Sequence, residues 1–254
     1  MPESFGAYYE PFIGGGALFF DTCSSISVEA RVNRIFLGDM NSHLINTYEV
    51  VRDDLGALVP LLQQYKEQHC EDFYYEIRDH IFDGDDVTRA ANFIYLNKTG
   101  FNGLYRVNKS GGYNVPFGRH KNPGIFDLDV LQACHAALQG VHLAVTDYKV
   151  TVESADRGDF VYFDPPYVPA GANSDFVSYT SDGFGDLDQA QLRDTVLALK
   201  SRGVRVLLSN SDTEEVRRLY RYKDYGFEME RVEATRSINS DATKRGAVGE
   251  LLIW

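Results

Sequence analysis

The apolar run Phe160-Val161-Tyr162-Phe163 leads straight into Asp164-Pro165-Pro166-Tyr167, and few architectures can use such a junction. The run reads as a buried strand. Each proline lacks a backbone N–H but keeps its carbonyl, and its fixed φ stiffens the chain. The strand therefore ends in a rigid surface rich in acceptors and short of donors, beside an aromatic ring. That surface suits an exocyclic amine on a planar base. The amine donates to the Asp164 carboxylate and to a proline carbonyl, and the Tyr167 ring stacks on the base. The plain alternative is a proline-rich turn after a core strand.

The rest of the chain supplies a setting for that strand. Residues 7–12 read as a first strand, followed by the turn Ile13-Gly14-Gly15-Gly16 and an apolar helix start at 17–20. A second strand at 34–37 ends at Gly38-Asp39, and Asn41 stands where a helix N-cap belongs. Leu44, Ile45, Tyr48 and Val51 then recur at helical spacing. Strands are also expected at 141–146, 159–163 and 204–208, with a closing pair at 227–234 and 248–254. A helix is expected from Asp186, which reads as its cap with Gln189 as capping-box partner. Leu192, Val196 and Leu199 form its apolar stripe, and Gly203 ends it. Alternating strands and helices predict an α/β, doubly wound, mainly parallel Rossmann-like sheet.

Residues 55–137 break the rhythm, with helical segments at 58–68, 73–81 and 87–98 followed by glycine- and asparagine-rich turns. They read as an inserted, mostly helical domain with a mobile basic end. The expected division is a catalytic domain at 1–54 and 138–254 and a target-recognition domain at 55–137. Net charge is −12, which alone argues against a polyanionic partner. Yet no acidic residue occurs between Asp86 and Asp127, while Arg89, Lys98, Arg106, Lys109, Arg119 and Lys121 do. A local basic face on an acidic body can hold phosphates.

No stretch approaches the roughly 20 apolar residues of a membrane span, and no secretory signal opens the chain. Cys23, Cys70 and Cys134 show neither metal-ligand spacing nor a disulfide framework; they read as buried structural thiols in a reducing cytoplasm. Ligands of open α/β sheets bind beyond the carboxyl ends of the strands, where Asp39, Asp147, Asp164 and Asn210 are expected. The glycine turn allows close backbone approach, and Asp39 is placed to accept from two ribose hydroxyls. Together they imply a nucleoside ligand. Asp39 as a simple N-cap and Asp147 as a polar strand end facing water are the alternatives.

These residues carry a resemblance. The stretch 10–20, Gly38-Asp39-Met40-Asn41, Asn97-Lys98-Thr99-Gly100-Phe101-Asn102-Gly103-Leu104, Asn114-Val115-Pro116-Phe117-Gly118-Arg119 and Asp164-Pro165-Pro166-Tyr167 resemble the Dam-type, D12-class DNA adenine-N6 methyltransferases. The likeness spans nearly the whole chain in the same motif order. It implies S-adenosylmethionine as cofactor and no metal. Phe12, Gly14 and Gly16 would line the methionine side, Asp39 would hold the ribose and Asp147 would meet the amine of the cofactor's adenine. Glu10, Pro11, Met40 and Tyr148 complete that set. Asp164, Pro165, Pro166 and Tyr167 would hold the target adenine, extruded from duplex DNA.

The resemblance further implies that Phe101 intercalates beside the extruded base, that Asn102 holds a base or phosphate, and that Leu104 and Pro116 touch a thymine methyl. Arg106 and Arg119 would contact guanine or clamp phosphates, with Lys98 and Asn114 beside them, in a GATC-like site. A core ring beneath the insert is the alternative for Phe101. Implied too are a monomer on DNA, a prokaryotic or phage source, a cytoplasmic location and room for a restriction endonuclease counterpart. The family usually opens with a Trp-Ala-Gly-Gly-Lys-like segment well ahead of the first strand, and only seven residues precede Tyr8. A catalytically impaired DNA-binding relic, or a methyltransferase acting on RNA, therefore stays open at this point.

Overall fold

Tyr8–Glu10 is buried at every position and forms β1. The chain continues through α1 (Ala17–Thr22), α2 (Val28–Arg31), β2 (Ile35–Asp39), α3 (Ser42–Asp53), α4 (Leu55–Gln68), α5 (Glu71–Asp79), α6 (Asp86–Thr99) and a 3-10 turn at Phe101–Gly103. Then come α7 (Leu128–Leu138), β3 (His142–Val145), α8 (Tyr148–Thr151), β4 (Phe160–Phe163), α9 (Asp186–Ser201) and β5 (Arg205–Ser211). Two short helices, α10 (Glu214–Leu219) and α11 (Tyr222–Tyr225), precede β6 (Met229–Thr235) and β7 (Ala247–Ile253). This computed structural model describes every residue except 1, 3, 23–25, 109–110, 121, 169–183 and 236–246. Cys23, Lys109, Lys121 and most of the loop before α9 thus lie outside the described residues.

Two packing units divide the chain. One contains Met1–Ile13, Val32–Met40 and Thr146–Trp254; the other contains Gly14–Arg31 and Asn41–Val145. In the second unit α3 packs on α6 and α7, and β3 on α3. These units are defined by contact, whereas the expected 55–137 boundary follows the break in strand–helix alternation.

In the first unit the strands run β2-β1-β4-β5-β7-β6. The pairs among β2, β1, β4 and β5 are parallel; β7 is antiparallel to both β5 and β6. The fold is thus the mainly parallel α/β sheet expected. Val161, Phe163 and Leu208 are fully buried and pack with Leu192, Val196 and Leu199 of α9, which are at most 1% exposed. Each such side chain contributes roughly 1.5–3 kcal/mol on burial. Near-continuous burial along β4 is what a strand covered on both faces requires.

The second unit is organised around tyrosines. Tyr65 donates to Asn92 Oδ1 at 2.8 Å, and the Tyr95 hydroxyl meets His69 Nδ1 at 2.8 Å. Tyr74, fully buried, donates to the Val115 carbonyl at 3.0 Å and so ties the loop after α6 to the helices. Burial of its ring pushes the Tyr74 hydroxyl up to about 12.

Several local expectations hold and several do not. Asn41 caps α3, its Oδ1 accepting from the His43 and Leu44 N–H groups. The cap of α9 is Gly185 rather than Asp186, because Asp188 Oδ2 takes the Gly185 N–H at 2.9 Å. Gln189 is no capping partner; its amide turns inward. Gly203 adopts φ +85 just past α9, as a helix-ending glycine does. Cys70 is exposed and caps α5 through Sγ, so it is not a buried thiol; Cys134 is half-buried. The helices α2, α7, α8, α10 and α11 were not anticipated, although Asp127 and Thr213 are ordinary N-caps.

Candidate active site

Asp164 leaves the end of β4, where the following prolines cannot continue a ladder. The residue is exposed, yet desolvation by the surrounding protein raises its pKa above the usual aspartate value. Hydrogen bonds from Ser209 and Tyr167 oppose the rise. Ser209 Oγ lies 2.6 Å from Asp164 Oδ1, 3.2 Å from the Tyr162 hydroxyl and 3.3 Å from the Phe163 carbonyl. Its single proton goes to the nearest and most negative acceptor, Asp164, so Tyr162 donates to Ser209.

The residues after Asp164 are held as firmly. Pro165 is buried. The Pro166 carbonyl accepts from Gln189 Nε2 at 2.8 Å, and the Val168 N–H donates to Asn210 Oδ1 at 3.1 Å. The Val168 carbonyl accepts from Ser211 Oγ at 2.6 Å. Tyr167 is half-buried, its hydroxyl 3.4 Å from Glu250 Oε2. Asn210 itself is fully buried inside β5 and is not the strand-end ligand group expected of it.

The surroundings are acidic. Glu10 is 2% exposed and accepts from Tyr8 at 2.6 Å. Burial first, then the charge of Asp164, and more weakly those of Glu10 and Glu250, push the Tyr162 hydroxyl upward. Among the described residues no group of three or more His, Cys, Asp or Glu could hold a metal ion.

Asp39 ends β2, half-buried, and its carbonyl accepts from the Thr146 N–H at 3.2 Å. That backbone bond brings Asp147 beside it in the chain. Asp147 is exposed and caps α8, its Oδ1 accepting from the Lys149 N–H at 2.9 Å. Met40 is 55% exposed. Pro11 is buried. Phe12 stacks on Tyr148 with centroids 5.3 Å apart and meets Phe184 edge-on at 5.8 Å. Tyr148 is 5% exposed, and burial raises its hydroxyl to about 12. Its side chain belongs to the core.

The second unit holds the other expected site residues. Gly14 and Gly16 adopt φ +45 and +65, and Tyr48 donates to the Gly14 carbonyl at 2.8 Å. A Cβ on Gly16 would come within 2.9 Å of the Phe20 ring. Phe101 is 42% exposed, at the start of a turn in which Asn102 and Gly103 take φ +55 and +63. Lys98, Pro116 and Arg119 are exposed and Leu104 is half-buried. Arg106 clasps Asn114 at both its side-chain oxygen and its carbonyl, at 2.7 and 3.1 Å. Arg89 is drawn back onto Asp86, its i−3 neighbour, which removes it from the open basic set. A Cβ on Gly118 would fall 2.7 Å from the Thr99 carbonyl and 2.8 Å from that of Gly100.

Ser209 and Gln189 were missed as site residues. The only sequence signal was their position, at the end of an expected strand and in the first turn of an expected helix.

Comparison with known proteins defines the class. Residues 1–238 match the model of the D12 class N6 adenine-specific DNA methyltransferases, and the chain belongs to that family. It is 39% identical to the type II methyltransferase M1.LlaDCHI of Lactococcus lactis subsp. cremoris over 100% of this chain and 87% of the relative. It is 39% identical to the type II methyltransferase M.MjaIII of Methanocaldococcus jannaschii over 97% of this chain and 87% of that relative. The DNA adenine methylase of Escherichia coli K12 is 34% identical over 96% of this chain and 84% of its own length. The enzyme is thus a DNA adenine methyltransferase using a methyl donor.

Proposed function

We propose that this enzyme transfers a methyl group from S-adenosylmethionine to N6 of an adenine extruded from duplex DNA, in a GATC-like site. The observation that carries the reading is the allotment of acceptors at 164–166. Gln189 occupies the Pro166 carbonyl and Ser209 one oxygen of Asp164. Tyr167 also hydrogen-bonds the Asp164 carboxylate, whose remaining lone pairs would accept, as a pair with the Pro165 carbonyl, the two hydrogens of an amine.

The amine needs that pair because its lone pair is delocalised into the purine ring. Acceptors on both hydrogens favour the geometry in which the lone pair becomes available. Holding a nucleophile so oriented lowers a barrier by on the order of 7–11 kcal/mol. Ionised Asp164 accepts; protonated Asp164 would present a donor at one oxygen. Extrusion costs a few kcal/mol, and stacking on Tyr167 returns roughly 1–3 kcal/mol.

S-adenosylmethionine, when bound, supplies an electrophilic methyl group on a sulfonium. The residues present fit it. Asp39 and Asp147 offer carboxylates for hydroxyls and an amine, Phe12 and Met40 offer apolar surface, Gly14 offers exposed Cβ-free backbone in a turn that Gly16 completes, and the acids around Tyr162 suit a cation. Glu10 and Pro11, both buried, shape the β1 end, and Tyr148 supports Phe12.

For DNA, the exposure of Phe101 favours intercalation over a core role. Lys98 and Arg119 would clamp phosphates, and Asn102, Leu104, Arg106, Asn114 and Pro116 would meet bases. The type II names of two relatives support a restriction endonuclease counterpart. We take the enzyme to act as a monomer on DNA, in the cytoplasm of a prokaryotic or phage-infected cell. Labelled methyl transfer to mixed-sequence duplex DNA, followed by mapping of N6-methyladenine, tests the reading. Label on RNA alone, or on no nucleic acid, would refute it.

A further inference from the structure

Gln189 and Asn210 are side-chain amides almost wholly removed from water, 3% and 0% exposed. Asn210 Nδ2 donates to Gln189 Oε1 at 3.1 Å, and Gln189 Nε2 donates to the Pro166 carbonyl at 2.8 Å. At the other end Asn210 Oδ1 accepts from the N–H groups of Val168 and Ser211 at 3.1 and 2.8 Å. The two amides thus join a backbone carbonyl to a backbone N–H two residues further on. Turning Gln189 over would set its oxygen against the Pro166 carbonyl. Turning Asn210 over would set its NH2 against two N–H donors. The network therefore fixes both orientations.

Burying primary amides is unfavourable unless they are hydrogen-bonded, and an apolar pair would fill the same space. The amides do something an apolar pair could not. Residues 164–168 belong to no helix or strand, and the two prolines leave the stretch few donors of its own. No ladder can hold it. We propose that Gln189 and Asn210 are positioning residues that set the distance and angle between the Asp164 carboxylate and the Pro165 carbonyl. This rests on the reading of 164–167 as the base-holding segment. The pair touches no substrate; it acts by engaging the Pro166 carbonyl and the Val168 N–H.

The test is single-turnover transfer of labelled methyl groups to duplex DNA by the full chain, comparing Gln189→Met, Gln189→Glu and Asp164→Ala. Gln189→Met keeps length and apolar bulk but loses both amide functions. Its transfer rate is expected to fall on the order of 100-fold, the scale of a small misplacement of reacting groups. Cofactor and DNA affinities, read by calorimetry, should barely change. Gln189→Glu can donate to Pro166 only when protonated, so its rate relative to the wild type should rise as pH falls. The wild type should move the other way.

Wild-type rates in Gln189→Met, or a Gln189→Glu profile that follows the wild type in level and shape, would overturn the proposal. Should Gln189→Met lose its thermal transition, the pH dependence of Gln189→Glu decides alone. The underlying reading is separable. If Asp164→Ala transfers methyl groups at the wild-type rate, the tetrapeptide is not the base holder. If it is inactive while both Gln189 variants keep the rate, only the positioning role falls.

Discussion

Segments 164–168 and 98–119 meet opposite demands. In the first, a carbonyl, an N–H and a carboxylate oxygen are each met by a buried side chain from α9 or β5. In the second, the chain is tied down from beneath, by Tyr74 and Tyr113 donating to the Val115 and Leu104 carbonyls, while Phe101, Lys98 and Arg119 stay exposed. On the proposed reading, methyl transfer at 164–168 needs acceptors at fixed positions, and DNA recognition at 98–119 needs groups that reach outward from a fixed base. Both solutions use backbone carbonyls as anchors. They differ in which side chains are left to the ligand.

The contrast can be broken most sharply at Asp164. Asp164→Ala should lower the methyl-transfer rate by about 10²–10³-fold, as loss of a preorganised polar group does, with DNA affinity retained in a gel-shift assay. Parallel loss of DNA binding would mean the two segments do not divide the work. Next in size is Gly118→Ala. Its Cβ would meet the Thr99 and Gly100 carbonyls, and such overpacking costs about 1–3 kcal/mol. DNA affinity should fall while calorimetric cofactor binding persists; a lost cofactor signal would contradict the division.

Phe101→Ala tests the outward-facing side alone. Loss of its stacking should weaken extrusion by about 1–3 kcal/mol, read as reduced fluorescence from 2-aminopurine at the target base. An unchanged signal would return Phe101 to a packing role. Smallest is Ser209→Ala. The Ser209 hydrogen bond favours ionised Asp164, against desolvation that raises its pKa. Removing that bond raises the pKa further, so activity should be lost at higher pH as the medium is acidified. The effect should be slight at alkaline pH and pronounced at mildly acidic pH. A pH–rate profile whose acid limb stays put would show that Asp164 is not the titrating acceptor.

What could be read in the sequence was local. Hydrophobic periodicity located β4 and α9, with Leu192, Val196 and Leu199 buried as that spacing requires. Asn41 was legible as a cap because its partners, His43 and Leu44, follow it directly. Asp164 was legible because two prolines make their own statement about donors. Gln189 and Ser209 were not. They meet the site across 23 and 45 residues, and no periodicity encodes such contacts. Gln189 sat in a helix's first turn, where capping is the ordinary use of its type, but Asp188 already held that role. Asp147 shows a different limit. Its sequence neighbourhood fits both a cap and a ligand, and the cap is the part now visible.

β7 lies between β5 and β6 and pairs with both. During synthesis, β5, bearing Ser209 and Asn210, therefore waits for residues 247–253 to leave the ribosome before its second edge is covered. The surroundings of Asp164 are therefore completed among the last parts of the molecule. On the proposed reading, a chain ended before residue 247 would keep residues 98–119 for DNA while β5 lacked its partner beneath Asp164.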